Sequence, residues 1–260
     1  MSYLNIQQIS HYYFNQNNYT NALKDVSLSI EKGKFTALLG PSGCGKTTLL
    51  SIIAGILKPS EGTVLLQQQE INKKITSIGY MLQQDYLFPW KTILQNTLTG
   101  PKIQGELTDK SIEKAKELLE EVGLGSVSDA SPNSLSGGMR QRAALARTLM
   151  TNPSLLLLDE PFSALDFQTK LKLEDFVSAL LKEYNKTSIL VTHDIGEAVA
   201  MSDEIYVMKA NPGQIHQHFE VPEEVRNLSP FEARRHEKYH ELFDRIWEEL
   251  NQLEAKSKNR

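Results

Sequence analysis

The chain of 260 residues contains one cysteine, Cys44. No intrachain disulfide can form, and a metal site built from several cysteines is excluded; both fit a reducing compartment. Long apolar runs are also missing. The tightest is Leu155 to Leu158, far short of the roughly 20 residues that span a bilayer as a helix. The N-terminus has no basic start followed by an apolar stretch, so no signal peptide is expected. There is no excess of basic charge either: 28 Lys+Arg stand against 32 Asp+Glu, a formal net charge of −4. That excludes the basic footprint of a general nucleic-acid binder. With 40% apolar and 23% charged residues, the chain has the composition of an ordinary globular protein. At about 150 residues per domain it holds one or two domains.

The hydrophobic pattern predicts an α/β fold. In the first 35 residues, Leu4, Ile6 and Ile9 and then Val26, Leu28 and Ile30 alternate with polar residues, which reads as short half-buried strands. Asn15-Gln16-Asn17-Asn18 forms a polar turn between them. Phe35 to Leu39 is a buried strand ending at Gly40, followed by a glycine-rich turn and a helix-like stretch from Thr47 to Ile56. Residues 62–66 and 78–82 are further strands. From about 85 to 150 the pattern becomes helical. Ile112, Ala115, Leu118, Leu119 and Val122 share one face between Lys110 and Val122, with Gly123 as the stop, and Gly137 to Met150 is a second helix. Strands resume at 155–158 and 188–192 with a helix between them, which implies a parallel sheet with crossovers. Near the C-terminus, Ser229-Pro230-Phe231-Glu232 has the form of a capped helix start. Tyr239, Leu242, Phe243, Ile246, Trp247, Leu250 and Leu253 then recur at helical spacing. We expect this amphipathic helix to pack on its own domain. The organisation read from this pattern is a domain over 1–215, with a helical subdomain at about 85–150, and a helical tail over 216–260.

Three motifs carry chemistry. Gly40-Pro41-Ser42-Gly43-Cys44-Gly45-Lys46-Thr47 fits the phosphate-binding loop, and it lies between a predicted strand and a predicted helix. Its glycines let backbone N–H groups turn inward on an anion, and the helix N-terminus adds positive partial charge. Lys46 would reach the β- and γ-phosphates and Thr47 would ligate Mg²⁺, with Thr48 alongside. Cys44 is read as a small filler within the loop. Leu155 to Leu158 leads into Asp159 and Glu160. Two carboxylates at the C-terminal end of a buried strand sit where ligands bind in open α/β sheets; Asp159 would hold Mg²⁺ and Glu160 would act as base on water. Leu135-Ser136-Gly137-Gly138-Met139-Arg140 opens a helix with a serine and two glycines, a second anion site unless the serine is only a helix cap. One nucleotide does not need two phosphate cradles from one chain, so each nucleotide is expected to lie between two copies.

These motifs resemble those of the ATP-binding cassette ATPases. Leu135 to Met139 resembles that family's signature, and four further elements follow the family's order. Tyr13 resembles the aromatic that stacks on adenine, with Tyr12, Phe14 and Tyr19 as competitors. Gln83, adjacent to Gln84, resembles the glutamine that senses Mg²⁺ and the γ-phosphate. Ser163-Ala164-Leu165-Asp166 resembles the loop that ends in an aspartate, and His193 resembles the switch histidine. The resemblance spans residues from about 3 to 215. It implies a P-loop NTPase parallel-sheet core, an N-terminal antiparallel β subdomain, a helical subdomain and a C-terminal helix. It also implies ATP and Mg²⁺ as ligands and an ATP-dependent homodimer. Lys46, Glu160 and His193 then serve catalysis. Tyr13, Gly40, Ser42, Gly43, Cys44, Gly45, Lys46, Thr47, Thr48, Gln83, Ser136, Gly137, Gly138 and Asp166 serve nucleotide binding, and Thr47, Gln83 and Asp159 the metal. The other histidines, 11, 216, 218, 236 and 240, show no metal-ligand grouping.

The resemblance extends to a subclass. Leu87-Phe88-Pro89-Trp90 and Asn211-Pro212-Gly213-Gln214-Ile215 are similar to the importer ATPases of the nitrate, sulfonate and taurine group, which also includes carriers of thiamine-precursor pyrimidines. This implies integral-membrane permease subunits docked near Gln83 to Asn96, an extracytoplasmic solute-binding protein reached through the permease, and a peripheral place on the cytoplasmic face of the membrane. The tail is too short for an added regulatory barrel. The alternative is a cassette clamp acting on a soluble macromolecule, which usually carries a long coiled-coil insert or two cassettes; neither is present.

Overall fold

Four adjacent strands of a parallel sheet end side by side, and the residues expected to form the site follow them in the chain. The computed structural model describes residues 2–15, 18–71, 78–163 and 165–258. Among these residues the larger sheet has the order β10-β9-β3-β8-β7-β6. It is built from β3 (Phe35–Leu39), β6 (Ile78–Met81), β7 (Leu155–Asp159), β8 (Thr187–Thr192), β9 (Glu204–Lys209) and β10 (Gln214–Glu220). All its pairs are parallel except β10 with β9. The smaller sheet is antiparallel, in the order β2-β1-β4-β5, from β1 (Ser2–Asn15), β2 (Asn18–Glu31), β4 (Glu61–Leu66) and β5 (Gln69–Glu70). The fold is thus the α/β arrangement expected from the pattern.

The helices are α1 (Lys46–Ile53), α2 (Ile93–Thr97), α3 (Thr99–Gln104), α4 (Asp109–Glu121), α5 (Gly137–Leu149), α6 (Phe167–Glu183), α7 (Ile195–Met201), α8 (Glu223–Arg226), α9 (Pro230–Ala233) and α10 (Glu237–Lys258). Helix α1 lies between the two sheets: Leu49, Leu50 and Ile53 share a core with Leu4, Ile6 and Leu28 on one side and Leu38, Leu155 and Leu157 on the other. Alternate residues of β7, Leu156 and Leu158, face the opposite core with Ala144, Leu145, Phe162 and Val177. A strand covered on both faces must be apolar throughout, and Leu155 to Leu158 are at most 1% exposed. Helices α2, α4 and α5 build a separate core around Ile93, Leu119, Val122, Leu135 and Ala143. Helix α4 begins at a capping box on Thr108 and stops at Gly123, φ 70, as a left-handed terminus requires. No helix among the described residues is long and apolar enough to cross a membrane.

Three expectations change. The N-terminal region is not a set of short strands but a pair of 14-residue strands. Bulges interrupt the period of two without ending the strands: the register shifts between Ile6 and Ile9, where Gln8 has φ 51 and its neighbourhood on β2 includes Asp25 at φ 50. The expected turn at Asn15–Asn18 falls partly on Gln16 and Asn17, outside the described residues, as does Ala164. At the C-terminus, Ser229 does form a capping box with Glu232, but it opens only the short α9. The chain turns at Arg234 to His236, so that Ala233 and Tyr239 both reach the core that holds Ala37, Leu39, Val207, Leu242 and Ile246. Trp247 is off that face and 54% exposed. The division expected at residue 215 falls inside β10, which pairs with β9 as far as Glu220.

Candidate functional site

The strand order brings the site together. Residues that follow β3, β8, β7 and β6 emerge in neighbouring positions at one edge, where open α/β sheets bind ligands. After β3 comes the phosphate loop. Gly43 and Gly45 have φ 79 and 90, which only glycine adopts without strain. A Cβ on Gly45 would lie 2.6 Å from Leu23 Cδ2 and 2.9 Å from the Ala22 carbonyl oxygen. No side chain caps α1 at Gly45, so its first N–H groups are left to an anion. Lys46 is buried within the loop, its ammonium donating to the carbonyl oxygens of Gly40 at 2.7 Å and Pro41 at 3.0 Å.

At the end of β7, Asp159 is 1% exposed. It accepts from the Thr47 hydroxyl at 3.3 Å and from Tyr80 at 3.5 Å. Burial pushes its carboxyl above the usual range, and the Glu160 charge adds to that, while Thr47 and Lys46 pull the other way. Burial, with Asp159 nearby, also pushes the Tyr80 phenol up to about 12. A hydroxyl and a carboxylate are hard oxygen donors of the kind Mg²⁺ takes, and Mg²⁺ completes its shell with phosphate and water oxygens. The absence, among the described residues, of any cluster of three or more His, Cys, Asp or Glu able to hold a metal is therefore no obstacle.

Glu160 is held in the left-handed region, φ 48, at a cost of roughly 1–2 kcal/mol for a residue with a Cβ. Its N–H donates to Val191 at 2.9 Å, and its carbonyl accepts from the Ser163 N–H and hydroxyl. The carboxylate stands between two side chains. Gln83 Nε2, after β6, donates to Oε2 at 3.3 Å; His193 Nδ1, after β8, lies 3.3 Å from Oε1. Gln83 rather than Gln84 makes this contact, and Gln84 lines a neighbouring cleft.

A cleft of about 430 Å³ is lined by Tyr13, Ser42 to Thr48, Gln83 and Glu160; Gly40, Asp159 and His193 are not in that lining but touch it, through Lys46, Thr47 and Glu160 respectively. Tyr13 is the N-terminal aromatic that reaches it, its hydroxyl 3.2 Å from the Thr48 hydroxyl; Tyr12, Phe14 and Tyr19 do not line it. Ser136, Gly137, Gly138 and Asp166 do not line it either. Ser136 caps α5 through the Met139 N–H at 3.3 Å, and Asp166 caps α6 through the Thr169 N–H at 3.1 Å. Gly137 borders the neighbouring cleft with Gln83 and Gln84.

Several site neighbours escape sequence reasoning. Thr20, Asn21, Asn211 and Gly213 border the large cleft; a Cβ on Gly213 would lie 2.3 Å from the Cys44 carbonyl oxygen, so the 211–213 turn braces the phosphate loop. Arg140 Nε pairs with Asp85 at 2.9 Å while Nη1 holds the Leu135 carbonyl at 2.8 Å. Arg147 holds the carbonyls of Asp85 and Tyr86 at 2.6 and 2.7 Å. No spacing signal announces partners this far apart in the chain. Cys44 is fully buried, and burial pushes its thiol up, which makes a poor nucleophile. Thiol reagents at neutral pH should modify the native chain at least about 100-fold more slowly than the urea-unfolded chain; comparable rates would place Cys44 at the surface.

Phosphate loop, two carboxylates at the end of a buried strand and a parallel sheet together define a P-loop nucleoside triphosphatase. More narrowly, residues 23–163 match the ABC transporter family model, and the chain belongs to that family; it is an ATP-binding ATPase domain. It is 58% identical over 259 residues, all of both chains, to the uncharacterized ABC transporter ATP-binding protein YtlC of Bacillus subtilis (strain 168). It is 43% identical over 202 residues, 78% of this chain and 76% of the relative, to the taurine import ATP-binding protein TauB of Pelagibacter ubique (strain HTCC1062). Among solved structures it superposes on the ATP-binding cassette MJ0796, seen as a dimer in a post-hydrolysis state bound to ADP and Pi. The TM-score is 0.77 and the identity 31%, over 84% of this chain and 99% of the other.

Proposed function

We propose that this chain is the ATP-hydrolysing subunit that energises an ABC importer of a small solute, with a taurine- or sulfonate-like anion as the first class to test. The single observation that carries the mechanism is the incomplete site: the cleft over Lys46, Thr47, Gln83 and Glu160 lacks Ser136, Gly137, Gly138 and Asp166. Two copies closing head to tail supply the missing half, as the dimeric state of the similar cassette supports. ATP lies on the phosphate loop of one copy, with Tyr13 against the adenine and Lys46 on the phosphates. Ser136 and the following glycines of the other copy donate to the far side. Thr47, Asp159 and Gln83 would hold Mg²⁺, which neutralises phosphate charge when bound. Glu160 accepts the proton of the attacking water, and His193 holds that water and the terminal phosphate in place. Catalysis is mainly positioning and charge stabilisation.

The import reading draws on the taurine import relative and on one surface. Trp90 is 75% and Tyr86 59% exposed, on the segment where a permease would dock at the cytoplasmic face. Leu87, expected there too, is internal to the helical core. Exposed aromatics are common anchors of interfaces. Trp90→Ala is expected to lower recovery of a permease in pull-downs from detergent-solubilised membranes about tenfold. Partners identified by mass spectrometry decide the larger question. A multi-span permease supports the importer; ribosomal or DNA-bound partners alone would establish a soluble clamp instead.

A further inference from the structure

His193 stands on a turn that its own side chain does little to fix. The side chain is 61% exposed and meets Glu160, so its place is set by the backbone between β8 and α7. That backbone is tied from inside. Asp194 caps α7 by accepting the Glu197 N–H at 3.1 Å. The Thr192 hydroxyl donates to Glu197 Oε2 at 2.5 Å and accepts from the Asp194 N–H at 3.0 Å. Both free carboxylate oxygens of this turn converge on one ammonium: Lys170 Nζ lies 2.7 Å from Asp194 Oδ2 and 2.6 Å from Glu197 Oε1. Lys170 belongs to α6, the helix that Asp166 caps, one turn from that cap. Burial alone would lower the Lys170 ammonium, but the two carboxylates outweigh it and hold it above its ordinary range. On the side of the C-terminal segment, Arg234 pairs with Glu174, a buried carboxylate of α6, at 2.6 Å.

We propose that Lys170 is a positioning residue for ATP hydrolysis: it locks the turn that carries His193 to the helix that opens at Asp166, so that the group facing the phosphate within one copy and the group offered to the other copy move as one body. This rests on the functional reading of His193 and Asp166 given above. Glu197 is buried, 5% exposed, while Asp194 is 42% exposed, so removing the Lys170 ammonium leaves one buried carboxylate uncompensated, which is costly.

The test is a double-mutant cycle on the full chain, reading kcat and the KM for ATP well below the melting temperature. Lys170→Met and Asp194→Asn should each lower kcat about tenfold with KM within twofold of the parent. Lys170→Arg, which keeps the charge, should restore kcat to within about threefold. The combined Lys170→Met/Asp194→Asn variant should be no slower than the worse single. Asn is a good helix cap, so Asp194→Asn keeps the fold and tests the relay even where Lys170→Met does not fold; parental kcat in that variant overturns the proposal. Losses that multiply to about 100-fold in the double variant also overturn it. His193→Ala separates the two levels. If it retains parental turnover, the reading of His193 fails. If it is inactive while Asp194→Asn and Lys170→Met turn over normally, only the positioning role fails.

Discussion

Glu160→Gln is expected to bind ATP normally and to hydrolyse it 10²- to 10⁴-fold more slowly, the range for removing a general base. The replacement is nearly isosteric. The backbone contacts that hold residue 160 at φ 48, to Val191 and Ser163, do not involve the carboxylate, so the strain is unchanged. What is lost is the carboxylate charge, and with it the group that can take a proton, between Gln83 and His193, each at 3.3 Å; the amide keeps one acceptor oxygen. With hydrolysis blocked and both halves of the site present, the variant should accumulate as an ATP-bound dimer, visible by size-exclusion chromatography with light scattering in saturating MgATP. Turnover within tenfold of the parent would remove Glu160 from the role of base. A monomer under those conditions would count against the two-copy site.

Lys46→Ala should abolish useful ATP binding. Lys46 is 6% exposed, and its ammonium already occupies the loop interior through Gly40 and Pro41. Contacts from a charged donor are worth roughly 1.5–3 kcal/mol each. Two of them to phosphate oxygens amount to a loss of about 10²- to 10⁴-fold in affinity. Lys46→Arg is not a rescue, because a planar fork cannot take the place of a compact ammonium inside a loop this closely packed. Calorimetric titration with ATP measures it; a Kd within fivefold of the parent would show that the backbone N–H groups alone carry the phosphate.

The contrast between these two residues also shows what the chain's linear order encodes. The phosphate loop is a local object. Strand, positive-φ glycines, lysine and helix start are contiguous from Phe35 to Ile53, and the tertiary structure adds only the neighbours, Leu23 and the 211–213 turn, that press on it. The same holds for the caps at Ser136, Asp166 and Ser229, each closed by a backbone group three residues on. The buried strand Leu155–Asp159 is legible because a strand covered on both faces has no polar positions. In each case the physical interaction spans a few residues, and so does its signature.

The convergence on Glu160 is of another kind. Gln83, Glu160 and His193 follow β6, β7 and β8, and they meet only because β7 lies between the other two in the sheet. Strand order is fixed by long-range packing, and nothing in residues 78–82 announces which strand will lie beside them. Resemblance marks Tyr13 and Gln83, but only the folded chain brings Tyr13, and none of the other three aromatics, to the cleft, sets Gln83 rather than its neighbour on Glu160, and splits the C-terminal helix at Arg234. It also joined Arg140 to Asp85 and Lys170 to Asp194. The sequence by itself determined the chemistry at each strand end and the local turn that presents it. The tertiary structure decided which ends stand together, and it left Ser136 and Asp166 off the cleft they are expected to complete, because side chains on separate elements meet only where cores and sheet register place them.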